Sequence, residues 1–151
     1  MPPSSIETLT EAEARDLRAL VAVMIPASGT YGVPGADDEL IFADILGSLE
    51  RDTAEARTAL RLLARLAGGA FAALAPARRA EVAATFKRDG GAPLFALNRV
   101  VLLCYYRDDR VMRSLGQEPR PPFPKGHEVE QGDWSLLDPV RRRAPFYRKV
   151  T

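Results

Sequence analysis

Apolar positions recur with helical spacing along most of this chain. Leu17, Leu20, Val21 and Met24 follow the i, i+3, i+4, i+7 rule that places side chains on one helix face. Before them, Thr10-Glu11-Ala12-Glu13 is a capping box in which the Thr10 side chain and Glu13 satisfy each other's backbone amides. Pro26 ends this helix, because a proline disfavours helical geometry in the residue before it. A loop over 27–36 follows, punctuated by Gly29, Gly32, Pro34 and Gly35. Asp37 or Asp38 then caps a second helix with the stripe Ile41, Phe42, Ile45, Leu46 and Leu49. Asp52-Thr53-Ala54-Glu55 opens a longer third helix, with Ala56, Ala59, Leu60, Leu63, Leu66 and Ala70 along one side. Gly68-Gly69 is expected to kink or thin that helix. Pro76 suits the first turn of a fourth helix carrying Val82, Ala83 and Phe86, which Gly90-Gly91 stops.

A fifth helix, begun by Pro93 and running from Leu94 to about Arg107, is apolar almost all round and belongs in the middle of a bundle. Asp108 or Asp109 caps a short sixth helix, Arg110 to Leu115, closed by Gly116. Beyond it the character changes. Pro119, Pro121, Pro122 and Pro124 deny the chain regular helix, and nothing alternates like a strand. Such a tail of about 35 residues is long for a compact domain. Its bulky anchors Trp134, Leu136, Leu137, Phe146 and Tyr147 suit it to lying along a surface. The expectation is an all-α single domain: a five- to six-helix bundle over about 9–116, and an irregular, proline-rich, partner-binding tail over about 117–151.

Composition narrows the function more by exclusion than by positive signs. The chain has 151 residues, enough for one core, and a net charge of +1 that gives no general attraction for nucleic acid or an anionic membrane. Its one cysteine, Cys104, sits in an apolar run as a buried, inert thiol, and its one histidine, His127, lacks an evident orienting partner. Together they fall short of the three or four ligands of a zinc site. Asp37-Asp38-Glu39 reads as helix capping, and Glu50, Asp52 and Glu55 as helix-end charges. The loop Gly29 to Gly35 lacks the spacing and lysine of a phosphate cradle and reads as a tight interhelical connection. No nucleophile elbow occurs. No catalytic, cofactor-binding or metal-binding residue is therefore assigned. The N-terminal stretch Met1-Pro2-Pro3-Ser4-Ser5-Ile6-Glu7 has no basic region followed by an apolar one, and no apolar run approaches a membrane span of about 20 residues. A cytoplasmic location without membrane insertion is expected, or a periplasmic one if a signal is missing from this chain.

Two stretches carry a resemblance. The first is Leu20-Val21-Ala22-Val23-Met24-Ile25-Pro26, then Val33-Pro34-Gly35-Ala36-Asp37 and Ile41-Phe42-Ala43-Asp44-Ile45-Leu46. The second is Tyr105-Tyr106-Arg107-Asp108-Asp109-Arg110-Val111, then Leu115-Gly116, Pro121 to Gly126, and Leu136-Leu137-Asp138-Pro139-Val140-Arg141. In this order they resemble the gluconate 2-dehydrogenase subunit 3 family, the small (gamma) subunits of flavin-dependent dehydrogenases of the glucose-methanol-choline type. The resemblance implies an all-helical subunit without flavin or heme, docked on an FAD-bearing catalytic subunit that oxidises a sugar, sugar acid, polyol or other alcohol. The small subunit would help that partner to fold and stay stable, with a cytochrome subunit as an optional further member. Family members commonly carry a twin-arginine signal, which this sequence does not show.

Aromatics and arginines concentrate the energy of protein interfaces. Tyr105, Tyr106, Pro122, Phe123, Trp134, Leu137, Arg141, Phe146 and Tyr147 are accordingly the candidate partner surface. Two other readings stand beside it. One is an independent small helical enzyme using His127; the other is a helical nucleic-acid-binding regulator using Arg141-Arg142-Arg143, Arg148 and Lys149.

Overall fold

The computed structural model describes residues 8–121, 126 and 128–144. The chain divides into two compact units, Met1–Pro119 and Arg120–Thr151. The fold is all-α. Among the described residues there are seven α-helices and no strand, only an isolated antiparallel bridge between Ser28 and Val33. The first unit holds α1 (Glu11–Met24), α2 (Glu39–Ser48), α3 (Thr53–Ala67), α4 (Pro76–Asp89), α5 (Gly91–Arg107) and α6 (Asp109–Ser114). Short 3-10 turns at Glu50–Asp52 and Phe71–Ala73 link them.

Local chemistry places most boundaries where the residue pattern does. Thr10 and Glu13 form the reciprocal capping box, at 2.8 and 3.2 Å. Asp38 caps α2 and Asp108 caps α6, each through its own side chain. Asp52 is a departure: it precedes α3 without capping it, because its carboxylate is drawn instead to Arg99, 2.6 Å away. The glycine pair after α3 neither kinks nor thins that helix. Gly68 takes a left-handed φ of 73° and ends it, while the Gly69 and Gly68 amides close back on the carbonyls of Ala64 and Arg65 as a Schellman cap. Ala70 consequently lies outside the helix, and exposed. Helix α5 begins at Gly91, two residues before Pro93, since a first-turn proline has no amide to lose.

One core fills this unit, with Leu17, Leu20, Ile45, Leu63, Phe71, Phe86 and Leu97 among its buried side chains. Helix α3 is central, packing on α1, α4 and α5, and α2 packs on the other flank of α5. The 3-10 turn at Phe71 docks on α1, where the Ala72 amide donates to Asp16 at 2.8 Å. Arg79 donates to the carbonyls of Ala72 and Leu74 from the other side.

The second unit is not wholly irregular. Asp133 caps a 3-10 turn, Trp134–Leu137, which runs into a single turn of α-helix, α7 (Asp138–Arg141). Pro139 is compatible with it because it falls in the first turn.

Candidate interaction surface

Three arginines of the α5–α6 arm meet three aspartates along α2 and the turn after it. Arg110 donates to Asp38 at 2.7 Å, Arg107 to Asp44 and to Ser48, and Arg99 to Asp52. Residue numbers rise along one side as they fall along the other, so the ladder records the antiparallel pairing of α2 with α5. Arg110 also donates to Asp108, joining two helix caps through one guanidinium. Hydrogen bonds from Arg110 hold the carboxyls of Asp38 and Asp108 below the ordinary aspartate range, and Arg107 does the same to Asp44.

The loop between α1 and α2 is pinned to the same arm. Ser28 and Val33 exchange backbone hydrogen bonds at 3.0 and 3.1 Å, and the Tyr105 hydroxyl donates to the Pro34 carbonyl at 3.1 Å. Gly35 lies so close to the chain entering the loop that a Cβ would sit 2.9 Å from the Ala27 amide nitrogen. A glycine is required there by contact rather than by φ.

Helix α5 does not lie in the middle of a bundle. Leu94, Leu97, Val101, Cys104 and Tyr105 are buried, but Phe95, Leu102, Leu103 and Tyr106 are 74, 44, 54 and 54% exposed. These four lie on one side of the helix with Arg99 among them. Helices α2 and α3 pack against two flanks of α5, and among the described residues the flank of Phe95, Leu102, Leu103 and Tyr106 is exposed. Beside it, between α4, α5 and the end of α1, runs a groove of about 390 Å³. Leu20, Phe86 and Leu94 reach it from the core, Ala80, Ala83, Ala84 and Lys87 form the α4 wall, and Asn98 and Leu102 the α5 wall.

The candidate surface residues separate accordingly. Tyr105 is only 5% exposed, with its ring edge-on to Tyr106 at 5.3 Å, so it supports the loop while Tyr106 faces out. Trp134 and Leu137 are exposed on the turn of the second unit, and Leu136 and Val140 are exposed with them. Trp134 donates from its ring nitrogen to Gln131, and Arg141 pairs with Asp138 at 3.3 Å. Pro122, Phe123, His127, Phe146, Tyr147, Arg148 and Lys149 lie outside the described residues. Phe95, Leu102, Leu103 and the groove were not singled out from sequence. Their signal was present in the all-round apolarity of α5, which is common to a central helix and to one awaiting a partner.

Cys104 is buried beside Ser48, Asp44 and Arg107, and burial pushes its thiol above the ordinary range. Among the described residues no three His, Cys, Asp or Glu side chains gather as a cation site. No helix among them is long and apolar enough to cross a membrane. The chain matches no family model, no curated protein and no solved structure.

Proposed function

We propose that this chain is a non-catalytic small subunit that binds and stabilises an FAD-dependent dehydrogenase of the glucose-methanol-choline type. The observation that carries the docking role is the uncovered flank of α5, where Phe95, Leu102, Leu103 and Tyr106 stand in solvent on a rigid helix. Large side chains clustered on one rigid face are the material of an interface core, and leaving them wet is unfavourable. The ordered resemblance from about residue 9 to residue 150 supplies the partner's class, with FAD held by the partner. The partner would transfer hydride from a sugar or alcohol to that flavin. This chain contributes surface, not reacting groups.

The test is to produce candidate FAD-dependent dehydrogenases of this class from the same source with and without this chain. The reading expects soluble, FAD-loaded dehydrogenase only in its presence. Equal yield, loading and thermal stability in its absence would remove the stabilising role.

A further inference from the structure

We infer that the loop between α1 and α2, the first turn of α2 and helix α6 form one cooperative unit, latched by Arg110, which opens and closes as a whole while the core stays folded. The inference goes beyond the subunit reading and does not depend on it. Helix α6 is six residues long, far below the roughly 12–15 at which an isolated helix becomes even marginal in water. It packs mainly on α5, which immediately precedes it, and otherwise holds to the body through buried Val111 and through Arg110. The Arg110 guanidinium donates twice to Asp108, the cap of α6, at 3.0 and 3.0 Å. It donates twice more to Asp38, the cap of α2, at 3.1 and 2.7 Å. One planar fork thus grips two carboxylates, each by two charge-assisted hydrogen bonds.

The contacts close into a ring. The Asp38 amide donates to the Gly35 carbonyl at 3.1 Å, and the Phe42 amide to the Asp38 carbonyl at 2.8 Å, so Asp38 ends the loop and starts α2. The loop is held from α5 by the Tyr105 hydroxyl on the Pro34 carbonyl. The Asp108 amide closes back on the Tyr105 carbonyl at 3.3 Å. Pro34, Asp38, Arg110, Asp108 and Tyr105 therefore form a circuit that joins 34–38 to 105–110 and includes no residue of α3 or α4. Every link is polar and lies toward the surface, whereas Leu63 and Leu97 lie fully buried at the core. Segments held by a few such contacts open below the energy of global unfolding, and linked ones open together. Coupling of this kind is reciprocal, so a contact that immobilises Tyr31, 75% exposed at the loop tip, also protects α6.

The experiment is amide hydrogen exchange on the full chain, read residue by residue by NMR. The reporters are Val33 and Ala36 in the loop, Phe42 in α2, and Met112 and Leu115 in α6, each an amide with a backbone partner. Tyr105→Phe removes only a loop contact, yet exchange should rise roughly three- to tenfold at the α6 reporters as well as at the loop. Arg110→Gln should raise exchange at all five by roughly tenfold or more, with Leu60 and Leu63 of α3 unchanged. Arg99→Gln, which breaks the ion pair to Asp52 outside the circuit, should leave all five at wild-type rates. A rise confined to the loop in Tyr105→Phe, or confined to α6 in Arg110→Gln, would overturn the latch. So would an equal rise at the α3 amides, since the opening would then be global.

Discussion

Asp38 works in two places at once. Its carboxylate caps the first turn of α2 through the Leu40 amide and receives two hydrogen bonds from Arg110. The capping half of that role is legible in the sequence, since an acidic pair before an apolar helical stripe signals an N-terminus. The pairing with Arg110 is not, because the two residues lie 72 positions apart and only the tertiary fold joins them. The consequence is a dependence on acid. Asp38, Asp44 and Asp108 have folded-state pKa values below those of the unfolded chain. The unfolded chain therefore takes up protons first as pH falls, and the contribution is complete above the unfolded value of about 4. Urea midpoints should be level above about pH 5 and decline as pH drops below about 4. Asp38→Asn, which preserves the cap, should make that decline shallower. A second residue-scale prediction concerns Gly35, where a methyl group has backbone against it. Gly35→Ala should lower stability by about 1–3 kcal/mol, read from the urea midpoint.

Among the elements, helix position was more legible than helix environment. The boundaries of α1, α2, α4 and α6 follow from caps, prolines and glycines, which act locally. Asp52 escaped that logic because a charged partner across the fold competed with the cap it was placed to make. Leu46 shows the same limit: it continues the apolar stripe of α2 yet is partly exposed, because a periodic stripe does not say how much of it the fold covers. Helix α5 shows it most clearly. Periodicity reports which residues share a face, but a helix apolar on every face leaves open how many of them the rest of the chain can cover. Two substitutions separate the covered and uncovered sides. Leu97→Ala removes a fully buried side chain and should cost about 2–5 kcal/mol in urea unfolding. Leu103→Asp, on the open flank, should change stability by no more than about 0.5 kcal/mol yet sharply reduce recovery of the flavoprotein. Loss of both in Leu103→Asp would mean that this face serves the chain's own packing.

For the molecule as a whole, the abrupt rise in proline after Gly116 falls close to Pro119, where the first of the two compact units ends. The helical turn in the second unit was not legible in the sequence, because four prolines dominate its character and the Asp133 cap lies beyond them. Met1–Pro119 is a compact unit with its own core, so a chain ending at 119 should keep cooperative thermal unfolding and most of the helical circular dichroism. In the docking account it should nevertheless lose the flavoprotein, since the exposed Trp134 and Leu137 go with the deleted segment. Undiminished recovery by the truncated chain would confine docking to the first unit. The most direct measurement is size-exclusion chromatography of the tagged full-length chain co-expressed with a candidate flavoprotein of the proposed class, following flavin absorbance alongside protein. The account predicts one peak containing both chains and FAD in fixed proportion. A chain that elutes alone and colourless, with the flavoprotein soluble, FAD-loaded and separate, would contradict it.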